Sequence, residues 1–374
     1  MKAIDIFKDK NFIECLKNNT FDKKGKHIKI FNNNDEIIEE NLNKVICISC
    51  SNYWITNIDG ISIFINLKSL DLIYNQIEKL PSEIEKLQNL EELFLSHNEI
   101  KKLPSEIGKL KNLKELDLSD NKIEELPKEI GELKKLKRLY LPYNNLQSLP
   151  KEIWNLENLK ILVLEYNELK EIPNKISNLN NLKILNLRNN RLQWLPKEID
   201  GLKNLEELGL ENNEIKEISN EIWNLKNLEI LDLEYNKLQK LPNEIGNLEN
   251  LKILYLNNNK LKFLADKIGN LKNLEELYLM NNKLQGLPKE ILKLDKLQQI
   301  WLHNAFDLDN LKQDPEELRD ILKKLKWKKV YSDGGLTYFR KKVYPILEEK
   351  IKEKYKIDDL KQIKDNLNLD NLSF

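Results

Sequence analysis

The stretch LPSEIGKLKNLKELDLSDNKIEELPKEIGELKKL, residues Leu103–Leu136, nearly restates itself. Leu103-Pro104 returns as Leu126-Pro127, 23 residues on, and Ile107 and Leu110 return as Ile130 and Leu133. The charged letters between them change freely. Numbered from Leu113, the unit has apolar residues at places 1, 4, 6, 11, 14, 18 and 21, asparagine at place 9 and proline at place 15. It occurs ten times without insertion or deletion, from Leu67 to Lys296, and each of those apolar places holds Leu or Ile. Such a period is the first thing to read in a sequence.

The spacing tells what each leg of the unit does. Places 4 and 6 alternate with variable places 3, 5 and 7, which is strand periodicity. Connections of this length cannot make hairpins, so the strands must lie parallel. Places 14, 18 and 21 have near-helical spacing, opened by a proline where a missing N–H costs little. One unit alone cannot bury its leucines, and stacked units share one long core. Asparagine at place 9, from Asn75 to Asn282, sits where the chain leaves the strand. Its amide is expected to satisfy turn backbone in its own unit and the next.

LKELDLSDNKIEELPKEIGELKK resembles the leucine-rich repeat in its 23-residue form, with LPxEIxxLxN on the return leg. It is similar to Ras-group intracellular repeats and to bacterial repeat proteins. The resemblance implies an α/β solenoid: a horseshoe with a parallel concave β-sheet, short 3-10 or helical convex return legs and terminal caps. It also implies a protein-binding role without naming the partner. Ser219 and Ala265 depart from proline at place 15, and Lys175 and Lys267 from glutamate at place 17.

The expected domains are an N-terminal cap region (1–44), a repeat domain (45–302) with degenerate units at both ends, and a C-terminal cap region (303–374). Helices are expected over Ala3 to Asn18, after Asp314-Pro315 and in the segment from Tyr344, with a hairpin turning at Asp333-Gly334-Gly335. The basic island from Lys323 to Lys342 reads as a solvated cap face, because no nucleic-acid-binding motif accompanies it.

Composition narrows the classes. Basic and acidic residues balance at 61 each, so no general pull toward nucleic acid or membrane is expected. No apolar run reaches the length of a signal peptide or membrane span. Three cysteines are too few for a disulfide framework, which makes a reducing, cytoplasmic setting the expectation, with non-classical secretion as the alternative. Cys47 and Cys50 form a CxxC, but no second pair has ligand spacing, so no metal and no cofactor are expected. No phosphate-binding loop, dinucleotide fingerprint or nucleophile elbow is present. The 72 residues after Leu302 hold no cysteine, against a cysteine-dependent ligase. An enzyme is not expected, although activity in the tail is a weak alternative.

The variable places carry the functional expectation. Places 3, 5, 7 and 8 should project onto the open face of the sheet, where solubility alone would favour lysine and glutamate. Instead one cluster gathers Tyr140, Tyr143, Ile161, Val163, Tyr166 and Ile184, with Arg188 beside it. A second gathers Ile230, Tyr235, Ile253, Tyr255, Tyr278, Met280 and Trp301. Large apolar side chains on an exposed face mark interaction surfaces. Glu165, Glu207, Glu211, Asp232 and Glu234 lie beside these clusters. The expected function is a monomeric, non-catalytic interaction module whose concave face takes a protein partner through exposed Tyr, Trp and Ile and acidic residues, the partner offering apolar anchors with basic residues around them. The alternative is a bacterial effector acting on a host protein.

Overall fold

The computed structural model describes residues 1–325, 330–331 and 343–355, which fall into two compact units, 1–236 and 237–374. In the first unit, helices α1 (Ala3–Ile6) and α2 (Lys10–Asn18) lead into strand β1 (Thr20–Phe21), helix α3 (Glu39–Leu42) and strand β2 (Cys47–Ser49). One three-residue strand per repeat follows: β3 (Ser69–Asp71), β4 (Glu92–Phe94), β5 (Glu115–Asp117), β6 (Arg138–Tyr140), β7 (Ile161–Val163), β8 (Ile184–Asn186), β9 (Glu207–Gly209) and β10 (Ile230–Asp232). β1 pairs antiparallel with β2, and every pairing from β2 through β10 is parallel. The register steps by 22 residues from β2 to β3 and by 23 from β3 onward, so Ile161 stands opposite Ile184.

In each of β3 to β10 the place-4 leucine is buried between half-exposed neighbours, as alternation requires, except that Gly209 and Asp232 are themselves buried. The return legs are single 3-10 turns such as Ser105–Lys109 and Lys128–Glu132. Pro104 and Pro127 precede them in extended backbone, and Ser219 and Ala265 adopt the same conformation with φ of −62° and −67°. Proline is therefore favoured at place 15 but not required. Nearly all the repeated Leu and Ile are fully buried; Leu149 and Ile218, at place 14, are half-buried.

Glycine at place 19 lets neighbouring legs touch. A Cβ on Gly131 would lie 2.3 Å from the Glu152 carbonyl oxygen. Trp154 and Trp223 occupy the same place in two other repeats of this unit, and both are wholly buried.

The asparagine ladder forms, with one correction. Asn190 Nδ2 donates to the carbonyls of Leu187 and Arg188 in its own repeat and of Leu164 in the preceding one. Its Oδ1 accepts from Leu169 N–H, also in the preceding repeat. The amide serves the preceding coil and not the next, because the forward side is already met by backbone: Leu187 N–H donates to Gly209 O and Asn189 N–H to Glu211 O. A second row runs along the other bend at place 23, exposed, where Asn112 Nδ2 donates to Gln88 O and Asn181 Nδ2 to Glu157 O.

The N-terminal segment is tied to the first coil in two ways. Asp9 caps α2 through Asn11 and Phe12 N–H, and its other oxygen accepts from the amides of Thr56 and Asn57 and from the Thr56 hydroxyl. Cys15 on α2 is joined to Cys50 by a disulfide, counter to the expectation drawn from the cysteine count. Of the CxxC, Cys50 points into the core and Cys47 stays half-exposed with a free thiol, so the two thiols do not act together. Cross-links of this kind stabilise by about 2–4 kcal/mol. Cys15→Ser is expected to lose that amount in denaturant melts, and reductant should reproduce the loss in the native chain but not in the variant.

The second unit carries β11 (Ile253–Tyr255), β12 (Glu276–Tyr278), β13 (Gln299–Trp301) and a two-residue β14 (Val330–Tyr331), all parallel. Helix α4 (Pro315–Leu325) starts where Asp314 Oδ1 accepts from Glu316 N–H. It buries Leu318, Ile321, Leu322 and Leu325 and packs on helix α5 (Tyr344–Tyr355). Lys289 pairs with Glu317 at 2.8 Å, fastening α4 to the last return leg. The turn Asp333-Gly334-Gly335 and most of the basic island lie outside the described residues.

Candidate functional site

Parallel strands in register lie about 4.8 Å apart, so side chains at one place in consecutive repeats must meet at that spacing. That distance suits aromatic rings, and the structure uses it. In the second unit Tyr255 and Tyr278 stack with centroids 4.5 Å apart, and Tyr278 and Trp301 at 5.7 Å. Tyr278 OH donates to Glu276 Oε2 at 2.6 Å, and burial together with that carboxylate raises the phenol above its ordinary pKa. Tyr278 is stacked between the other two rings, and all three are half-buried. Ile253 and Met280 flank them, half-buried.

In the first unit Tyr140, Ile161, Val163 and Ile184 form a half-buried apolar strip across β6, β7 and β8. Ile230 and Tyr235 also belong to this unit, and the structure describes them apart from the second unit's rings. Tyr143 and Tyr166 stack at 4.1 Å and are 50% and 43% exposed.

These two tyrosines do not lie on the strands. Place 8 is a turn position whose backbone is left-handed in all ten repeats, with φ of 53° at both Tyr143 and Tyr166. Asn189, Asn212, Asn258 and Asn281 hold the residue type that tolerates this conformation. Tyr74, Tyr143, Tyr166 and Tyr235 occupy it at a cost in backbone strain. Tyr74 stacks on His97, also left-handed, at 4.1 Å, and His97 Nδ1 meets Asp120 Oδ2 at 2.5 Å. The repeat alignment contained the signal for His97, as a non-asparagine at place 8, but not the left-handed backbone that gives it meaning.

Arg188 is turned inward. Its Nη2 donates to Asp232 Oδ2 at 2.8 Å, two strands away, and Nε lies 3.7 Å from Glu211. The side chain crosses directly over Gly209, where a Cβ would approach Nε to 3.2 Å. Asp232 is 4% exposed. Burial pushes its carboxyl up, opposed by the Glu234 amide and by Arg188. Burial and the Asp232 charge likewise raise Glu211.

Among the described residues, no group of three or more His, Cys, Asp or Glu is placed to hold a metal ion. No described helix is long and apolar enough to cross a membrane.

The model of the leucine-rich repeat region matches residues 41–120, 93–156, 106–207 and 201–331. Among solved structures, a leucine-rich repeat protein of Leptospira interrogans is 35% identical, covering 78% of this chain and 84% of that one, with a TM-score of 0.56. The plant peptide hormone receptor RGFR1, in complex with RGF2, is 29% identical over 71% of this chain, with a TM-score of 0.60; the chain spans 48% of that receptor's length. The functional domain of InlJ from Listeria monocytogenes, 21% identical over 84% of this chain and 63% of that one, shares the fold with a TM-score of 0.69. Among curated proteins none matches the chain in sequence. Family and fold are those of protein-interaction modules in general. With its unbroken period, parallel strands and 3-10 return legs, the chain belongs to the leucine-rich repeat family.

Proposed function

We propose that the protein is a non-catalytic interaction module that takes a protein partner on the open face of its strands. The observation that carries this is the left-handed tyrosine: Tyr143 and Tyr166 hold a strained backbone where asparagine would fit, and display their rings to solvent. Strain retained at exposed aromatics is characteristic of binding surfaces. The apolar strip of Ile161, Val163 and Ile184, with Tyr140, supplies adjoining contact area, as does Ile230 with Tyr235. In the second unit, Tyr255, Tyr278 and Trp301, flanked by Ile253 and Met280, offer a stiff aromatic ridge. Arg188 serves by shaping the floor, since its charge is held by Asp232. The plant receptor's complex with RGF2 supports a polypeptide as the ligand class.

A two-sided measurement tests the reading. Tyr143→Asn with Tyr166→Asn relieves the backbone while losing the ring stack, which is worth about 0.5–1.5 kcal/mol. Stability should be unchanged or higher by about 1 kcal/mol, and partner capture should fall at least tenfold. Capture that survives intact would remove these tyrosines from the interface.

The disulfide favours a second reading of where this happens. Cys15–Cys50 persists in an oxidising setting, so an effector acting outside the cytoplasm fits better than a cytoplasmic scaffold. Thiol counting on protein drawn directly from each cellular fraction distinguishes the two.

A further inference from the structure

Charge is segregated on the first unit in a way that composition hides. Places 3, 5, 7 and 8 of its eight repeat strands and the turns after them, between Leu67 and Asn236, carry ten Asp or Glu against two Arg and no Lys. The formal balance of that face is therefore −8, in a chain whose 61 basic and 61 acidic residues cancel. Lysine is excluded from the face and stands on its flank at place 2, as at Lys114, Lys137, Lys160 and Lys183. The fold does not require this, because these places lie outside the repeated Leu and Ile rows that build the core. A surface built for solubility alone would intersperse the two signs.

Both cations on the face are already engaged. Arg138 pairs with Glu115, and Arg188 with Asp232. Of the other carboxylates, Asp71 accepts from Ser49 and Ser51, Asp117 from Ser119 N–H, Glu165 from Asn186, and Asp120 meets His97. Glu92 on β4 and Glu207 on β9 stand half-exposed on either side of the apolar strip. Burial and the neighbouring charges of Asp232, Glu234 and Glu165 push Glu211 toward protonation, so the face holds like charges that a cation would relieve.

We infer that the first unit's strand face docks a lysine- and arginine-rich polypeptide segment that runs across the strands and sets apolar side chains on the strip between β6 and β8. The inference rests on the strand-face reading above and deepens it. A small cation does not fit the pattern: the carboxylates extend from Asp71 on β3 to Asp232 on β10, over eight strands spaced about 4.8 Å apart. An apolar strip interrupts them, so the occupant must be both long and amphipathic. Complementary charge of this kind sets which partner is admitted and how fast it arrives.

Selection of a displayed random-peptide library on the immobilised full chain tests this. The expected pool is enriched in Lys and Arg together with aromatic or aliphatic residues, and its binding weakens steeply as salt rises. Glu207→Gln with Glu211→Gln, which keeps side-chain shape, should weaken the selected peptides on the order of tenfold; thermal melts establish that the variant is folded. A pool of neutral or acidic peptides that is lost on Tyr143→Asn with Tyr166→Asn would overturn the charge inference and leave the strand-face reading standing. A pool that binds both variants as well as it binds the native chain would overturn both.

Discussion

Asn190→Ala is expected to lower stability by about 3 kcal/mol, although the residue touches no partner and carries no charge. The substitution strips donors from the carbonyls of Leu164 and Leu187 and the acceptor from Leu169 N–H, all buried between two coils, while Arg188 O keeps its bond from Tyr166 N–H. Each orphaned group keeps its desolvation penalty and has no water to replace the amide. Leu187→Ala in the same repeat should cost about 2–5 kcal/mol through the cavity it leaves. Asn181→Ala is the contrasting case: it removes one exposed bond, to Glu157 O, and should cost under about 1 kcal/mol. Denaturant melts of the three variants order them. In a stack where each coil touches only its neighbours, a mid-stack loss can also split unfolding into two steps. If Asn181→Ala were as damaging as Asn190→Ala, the buried ladder would not be what holds the coils in register.

Trp154→Ala should be as damaging, at about 3–5 kcal/mol. Trp154 is wholly buried on the return leg Lys151–Asn155, where Gly108 and Gly131 stand in the two preceding repeats. Removing the indole leaves a cavity that these legs can fill only by closing up, as they do around the glycines. Trp154→Gly therefore separates two cases. A loss well below that of alanine would show that the legs collapse together; an equal or greater loss would show that the spacing is set elsewhere. The indole N–H finds no hydrogen-bond partner among the described residues, so the tryptophan already bears a desolvation cost. Trp154→Phe should accordingly lose much less than alanine, on the order of 1 kcal/mol. Melting midpoints measured side by side for the three variants decide it.

How much of this was legible beforehand can be judged residue by residue. The period placed the strand of each regular repeat, with the register of 23, because parallel coils of equal length pair repeat to repeat and the same leucine recurs in the same environment. It also placed the buried rows and the turn asparagines, since each is a local choice repeated ten times. The candidate surface was half legible: the apolar residues at places 3 and 5 lie on the strands as the alternation required. Place 8 was beyond reach of periodicity, because a left-handed residue breaks the alternation that a strand reading extends through it.

Other features needed coils to meet in space. Asn190 serves the preceding repeat because the forward bonds are taken by backbone, which only the closed stack reveals. Cys15 reaches Cys50 and not Cys47 because β2 turns those two side chains to opposite faces and α2 lies on the buried one. Arg188 reaches Asp232 across 44 residues because Gly209 leaves its path clear. The sequence by itself determined whatever repeats within one coil, where spacing dictates burial. The tertiary structure decided what passes between coils, where a partner depends on which groups the stacking has left unsatisfied.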